Sequence, residues 1–554
     1  MKSERQDNQK AGGFVWGLLA GLAFLIFVVA YFTIAITRQN GGIFTYALDD
    51  AYIHLAIARN LAVHGVWGIT PEQFTSSSSS LLWTLLLAGV AKVFGDNPQN
   101  ALWLNLFSAV LLLTVVYAFA RRFGYREITA LGAMLVAILV VPVIGLVFIG
   151  MEHLLHGALS LWFVYVLLRV MQPERSVRGS VILLFVLSAL LVMARFEGAF
   201  LIFAASVLLA LGRRMGLAVM VAVGGLLPIV VFGVVSVSHA AFFVPSTILL
   251  KSNTAAGGLA GLVKTLFYNP LIAMSLSPHL MVLLPVCIAY GFLSFRKSGR
   301  FWDIRVALPV LFIACALLHL QFINRNQFHR YDAYLMALAV AVFIPIAMDT
   351  WEWLRTRGKS ESSAAGLAVL LGALLLFLPS FYRGAESTVN LTTAARNIYE
   401  QQYQMGRFLK QFYEGERVVA NDIGAICYFA DIKLLDTVGL GTIEIARAVR
   451  AGVATTGFIE NLARQKDARI AVIYDDWMKE YGGVPDSWIF CGAWQISDNY
   501  ICGGSMVSFY AVDEQAAGPL MENLRDFQGL LPHTVAQLGP YTRSGESAYL
   551  ERER

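Results

Sequence analysis

The sequence predicts a polytopic α-helical membrane protein that ends in a smaller α/β domain outside the bilayer. The 554-residue chain is 57% hydrophobic and only 14% charged, and its mean hydropathy is +0.62, far more apolar than a soluble domain. Apolar runs long enough to cross a bilayer recur as far as Ser380 and then cease. From Arg383 onward, short strand-like runs alternate with helical ones, as in an α/β domain. We therefore divide the chain into a membrane domain, 1–382, and an extracytoplasmic domain, 383–554.

The first apolar run, Phe14 to Thr37, is longer than the roughly 7–15-residue core of a signal peptide, and no small-residue cleavage site follows it. It reads as a retained span. About eleven runs qualify as spans: 14–37, 99–120, 128–148, 153–171, 179–194, 198–212, 216–238, 271–295, 306–323, 333–348 and 363–380. Basic clusters such as Arg121/Arg122/Arg126, Arg213/Arg214 and Arg296/Lys297/Arg300 fall in every second connection, which places those connections and the N-terminus in the cytoplasm. The alternation holds only if Ser80–Gly95, which contains Lys92, lies along the interface instead of crossing. The net charge of +5 is thus topology signal and implies no nucleic-acid partner. Of the five cysteines, Cys287 and Cys315 sit in apolar runs as small hydrophobes. Cys491 and Cys502, in the polar tail, are candidates for a disulfide, with Cys427 left over.

The outside connections hold the residues able to do chemistry. "YALDDAYIHLAIARNLAVHG" sets Asp49 and Asp50 before a run whose Ile53, Ile57 and Leu61 recur at helical spacing and which ends in glycine, so it predicts a short amphipathic helix. An aspartate before a helix is a good N-cap, and a second in the first turn suits the helix dipole. The functional alternative keeps one acid as cap and aims the other into a cavity as base or metal ligand, oriented by His54 four residues on. "TSSSSSLLWTLL" reads as a loop feeding the interfacial helix, with one serine as its N-cap. "IGMEHLLHGAL" puts Glu152 and His153 at the outer end of a span, as a second carboxylate for the same cavity or, with His156, as a metal set. Arg195 with Glu197, Lys251, and Arg325, His329 and Arg330 with Asp332 supply charge at the same boundary. Ionisable groups at that depth are costly and usually face a cavity. Arginine and lysine beside apolar surface suit a lipid-linked phosphate, or else reach for lipid headgroups.

Several pieces stand in one order along the chain: "LDDAYIHLAIARNLA", "SSLLWTLLLAGVAKVFG", "GMEHLLH", "ARFEGAF", "FFVPSTILLKSN", "FHRYDAYL" and "VVANDIGAICYFADIKLLDTVGL". In that order they resemble the integral-membrane glycosyltransferases of the GT-C fold. The likeness is to bacterial enzymes similar to mycobacterial terminal arabinofuranosyltransferases and, more distantly, to protein O-mannosyltransferases and aminoarabinose transferases. The resemblance implies a multi-pass protein of the bacterial inner membrane with its site on the outer face. It would take a sugar, arabinofuranose or a related pentose, from a polyprenyl-phosphate donor and pass it to a glycan or protein acceptor of the cell envelope. The resemblance further implies Asp49 as catalytic base, Asp50 as its orienting or acceptor-holding neighbour, and Glu152 with His54 as supporting groups. Arg195, Lys251 and Arg330 would hold the donor phosphate. No cofactor is required on this reading, and dependence on a divalent cation is left open. Where relatives carry "GYSNPLW" and "RPEG" this chain has serines before "LLW" and "RFEG", which bears on acceptor and donor identity.

A secondary transporter is the alternative for a chain with this many spans. It would be expected to show paired halves with interrupted helices near the midplane, whereas here the acids collect at the outer boundary. A non-catalytic scaffold, a third reading, would tolerate neutralisation of Asp49. In the tail, "RVVAND", "KLLDTV", "ARIAVIYDD" and "SMVSFYAVD" read as strands and "TTGFIENLARQKD" as a helix between them. No phosphate loop stands there, and the domain reads as a lid over the outer cavity, with acceptor binding as the other role.

Overall fold

A computed structural model describes residues 15–172, 178–251, 269–323, 327–356 and 359–542. Among these, eight helices are long and apolar enough to cross a membrane: Trp16–Gln39, Asn100–Arg122, His153–Val170, Met215–Ser238, Pro278–Ser298, Ile304–Phe322, Ala333–Arg355 and Ala365–Val389. The other three expected spans are the shorter apolar helices Glu127–Val140, Arg178–Ala194 and Gly198–Leu211. At 1.5 Å per residue a 14-residue helix covers only ~21 Å, less than the ~30 Å of hydrocarbon. Glu127–Val140 breaks at Pro142 and resumes as Val143–Phe148, which is why the sequence shows one continuous apolar run there.

Two helices fill the connection between helices Trp16–Gln39 and Asn100–Arg122, namely Asp50–His64 and Leu81–Phe94. Gly65, with φ of 71°, closes the first in the left-handed conformation. Ser80 caps the second by accepting from the Trp83 N–H at 3.1 Å. The amphipathic character expected of Asp50–His64 is not realised: every residue from Ala51 to Ala58 is buried. The side that would meet solvent is covered by the C-terminal domain.

That domain is built on a six-stranded sheet. Its strands are β1 (Arg417–Ala420), β2 (Lys433–Asp436), β3 (Ile470–Ile473), β4 (Ile489–Gln495), β5 (Met506–Ala511) and β6 (Ala536–Leu538), in the order β2-β1-β3-β5-β4-β6. β2, β1 and β3 run parallel and the remaining pairs antiparallel. Helix Thr456–Gln465 stands where the sequence placed one. The expected boundary at 382/383 falls inside helix Lys359–Val389. Arg383, whose charge marked the end of apolar sequence, is buried there and ion-paired with Asp332. All five cysteines are free. Cys491 Sγ faces the Ala517 carbonyl and Cys502 Sγ the Gln402 side chain, so their side chains point to different neighbours and the candidate disulfide is absent.

The parallel strands aim their carboxyl ends at the membrane domain, the end where open α/β sheets place their functional loops. The loop after β1 reaches Asp49 through Gly424. The loop after β2 accepts a 2.6 Å hydrogen bond from Ser77 to the Leu440 carbonyl. Asp436 shapes that second loop by accepting from the Val438 and Gly441 N–H groups at 2.8 and 2.7 Å, and burial pushes its carboxyl up to about 6.

Candidate active site

Asp49 and Asp50 are adjacent in sequence but serve different parts of the molecule. The Asp49 carboxylate accepts from the backbone N–H groups of Gly424 (2.6 Å) and Ala425 (2.7 Å), the first residues of helix Gly424–Phe429 in the C-terminal domain. It is a cap, as the sequence allowed, but of a helix 375 residues away and not of its own, with which it makes no side-chain capping bond. Burial and the neighbouring Asp422 carboxyl hold the Asp49 carboxyl well above its usual range. A Cβ on Gly424 would lie 2.2 Å from the Asp49 carbonyl oxygen, so only glycine permits this approach.

Asp50 pairs with Arg330, Nη2 to Oδ2 at 2.6 Å. The Asp50 side chain is 27% exposed, whereas Arg330 is buried. The guanidinium sits 5.3 Å from the Tyr331 ring centroid. Its Nε and Nη1 are buried and make no hydrogen bond among the described residues, so part of a rigid donor fork is unused.

Glu152 is fully buried. It accepts from Arg195 Nη1 and from Ser79 Oγ at 3.1 Å, and lies 3.5 Å from His54 Nε2. Arg195 also makes a two-pronged pair with Glu197, at 3.1 and 2.6 Å, and its guanidinium lies 5.0 Å from the same Tyr331 ring. Against the penalty of burial, Glu197 and Glu152 hold the Arg195 charge more firmly than usual; two carboxylates already neutralise it. His54 faces Glu152, Ser78, Ser79 and Thr84, not Asp50 as helical spacing suggested. Burial pushes its imidazole below the ordinary value, toward the neutral form. His156 rests against the Tyr334 ring, 4.7 Å between centroids. Among the described residues no three His, Cys, Asp or Glu side chains gather as a metal set. Lys251 ends the short helix Ser246–Lys251, but its side chain, like Arg325, lies outside the described residues.

Behind this cluster is a cavity of about 1040 Å³ between the two domains, lined mainly by apolar side chains including Trp67, Phe74, Leu227, Val231 and Phe232. The serine-rich segment is the wall between cavity and acids. Thr75 and Ser76 line the cavity, while Ser78 and Ser79 bond to His54 and Glu152.

Sequence reasoning missed Tyr331 as the ring shared by both arginines, and Arg59, which grips the far end of helix Gly424–Phe429. Arg59 donates to the Tyr428 and Cys427 carbonyls at 2.6 and 3.2 Å and to Asp431 at 2.9 Å. A lone arginine inside an apolar helical run was the available signal for Arg59.

Spans, interfacial helices and appended domain together define the class: a polytopic membrane protein with the GT-C fold. The particular structures that share it include ArnT from Cupriavidus metallidurans bound to undecaprenyl phosphate, with a TM-score of 0.53 and 14% identity over 90% of this chain and 99% of that one. The same protein in the apo state gives a TM-score of 0.52 and 14% identity over 90% and 100%. In sequence, a domain of unknown function (DUF8728) matches residues 396–510, which contain β1 to β4 and all but the last residue of β5. No curated protein matches the chain.

Proposed function

We propose that the protein is a glycosyltransferase that moves a sugar from a polyprenyl-phosphate donor to an acceptor on the outer face of the membrane, with Asp50 as base and Arg330 as phosphate ligand. The observation that carries this reading is the Asp50–Arg330 pair: a partly exposed carboxylate joined to a buried guanidinium two of whose nitrogens make no hydrogen bond among the described residues. An anionic leaving group beside Arg330 would take up those donors in a charge-assisted, fork-shaped contact. Asp50 would then stand next to the breaking bond. Arg195 suits that role less, because Glu152 and Glu197 already occupy it. The fold it shares with ArnT, a protein crystallised with undecaprenyl phosphate, agrees with a lipid-phosphate ligand.

In the reaction, Asp50 removes the proton of an acceptor hydroxyl as its oxygen attacks the anomeric carbon. The bond from that carbon to the phosphate oxygen breaks, and the polyprenyl phosphate leaves with the electron pair, its charge held by Arg330. One displacement inverts the anomeric centre; retention seen by NMR of the product would rule it out. The apolar cavity suits the hydrocarbon of a lipid-borne substrate, and its volume matches the upper range of ligand pockets, ~300–1,000 Å³. For the sugar we propose arabinofuranose or a related pentose, from the sequence resemblance, and for the acceptor an envelope glycan or protein. The bilayer is the protein's setting, with the site and C-terminal domain extracytoplasmic.

The test is sugar transfer by the full-length protein in nanodiscs, supplied with polyprenyl-phosphate arabinofuranose and a panel of acceptors. Transfer that vanishes in Asp50→Asn while undecaprenyl phosphate still binds supports the assignment. Full transfer by Asp50→Asn removes it.

A further inference from the structure

Asp49 and Arg59 lie ~15 Å apart along one helix, at 1.5 Å per residue. Between them they meet both ends of the tail helix Gly424–Phe429. The carboxylate sits at its N-terminus, on two backbone N–H groups; the guanidinium sits at its C-terminus, on two backbone carbonyls. Each side chain satisfies backbone groups that a helix leaves unbonded, and the guanidinium also has the sign that the C-terminal end prefers. Between the two ends, the Tyr52 ring packs against Tyr428 and Phe429, at 5.9 and 5.3 Å between centroids. Tyr428 Oη donates to Asp96 at 2.9 Å. On the tail side, Asp422 faces Asp49 and is braced by Gln402 at 2.9 Å.

We infer that helix Gly424–Phe429 is a latch gripped at both ends by helix Asp50–His64, and that Asp49 is a positioning residue: the docked tail fixes the start of that helix and so places Asp50. This rests on the reading of Asp50 as base; the latch itself does not. The Asp49 carboxyl bonds across the domain boundary while its backbone carbonyl accepts from the Tyr52 N–H at 2.9 Å, so the first turn, which carries Asp50, is tethered to the tail.

The experiment compares the full-length protein with Asp49→Ala, Asp49→Asn, Arg59→Ala and Gly424→Ala in nanodiscs, by hydrogen exchange and by transfer from polyprenyl-phosphate arabinofuranose. Asp49→Ala, Arg59→Ala and Gly424→Ala are expected to speed exchange about 10–100-fold at the Gly424 and Ala425 amides and to loosen the first turn of helix Asp50–His64. The transfer rate is expected to fall by a similar factor with donor KM little changed. Gly424→Ala tests the idea from the tail side, since it leaves Asp49 and Arg59 intact. Asp49→Asn keeps one acceptor oxygen for the two N–H groups and is expected to recover part of the loss. The proposal is overturned if Asp49→Asn loses the ~10²–10⁴-fold expected of a missing base while exchange at Gly424 and Ala425 stays as in the parent. It is equally overturned if the tail amides open while the first turn and the transfer rate do not change. If the parent itself transfers no sugar, the reading of Asp50 fails, and exchange in the first turn still decides the latch.

Discussion

The Asp50–Arg330 pair and the Glu152–Arg195–Glu197 triad lie on the same aromatic ring, Tyr331, and use the same residue types. They differ in how fully the guanidinium nitrogens are used. In the triad one guanidinium is shared by two carboxylates, and all three side chains are buried. In the pair one carboxylate, partly open to water, meets a guanidinium that has donors to spare among the described residues. A guanidinium with every nitrogen bonded, as in Arg195, holds helices in place, and one with nitrogens left over is ready to bind an anion. The presence of arginine near a membrane boundary therefore says less about function than the number of partners it has found.

The sharpest way to break this contrast is Asp50→Asn. It should lower the turnover for sugar transfer by about 10²–10⁴-fold and lower the thermal unfolding temperature less than Arg195→Met does, because an amide oxygen can still accept from Arg330 and the site is partly open to water. On the triad the effect should move from rate to stability. Arg195→Met strands two buried carboxylates and should cost about 3–5 kcal/mol of stability, read as a lower unfolding temperature in detergent. Equal stability losses in Asp50→Asn and Arg195→Met would erase the distinction. Arg330→Gln should then raise the Kd for undecaprenyl phosphate about 10–100-fold, the worth of one or two charge-assisted hydrogen bonds.

The smallest effect is expected at His54, which lies between the two clusters and whose imidazole burial keeps below its ordinary 6.5. A depressed histidine pKa means that the fold favours the neutral ring. Its contribution is fully present above pH ~6.5 and is lost as pH falls toward the depressed value. His54→Gln should therefore flatten part of the stability loss below pH ~6.5 and change transfer by only a few-fold. A stability curve as steep as the parent's would remove His54 from that balance.

Much of this was legible in the sequence, and the limits have physical causes. The spans, the interfacial helix capped by a serine and four of the six strands follow from hydrophobic period, turn residues and caps, all of them local signals. β4 was missed because "IFCGAWQ" carries a glycine and a cysteine in place of clean alternation, and β6 because Ala536–Leu538 is only three residues long. The residues of the site were nearly all named, but not their partners. Nothing local pairs Asp50 with Arg330, 280 positions away, or sends Asp49 to Gly424. Helical spacing put His54 near Asp50, and the neighbouring serine segment instead turned the imidazole toward Glu152.

The bond from Asp49 to Gly424 spans 375 residues, which has a consequence for how the protein is made. The connection that carries helix Asp50–His64 emerges early in synthesis, yet the partner of Asp49 is translated only after helix Ala365–Val389. Contacts of such sequence separation form late, because the chain between them must first be ordered. A nascent or truncated chain already in the membrane would thus carry both aspartates without the geometry that gives them separate tasks. Completion of the C-terminal domain is then the step that supplies the partner of Asp49.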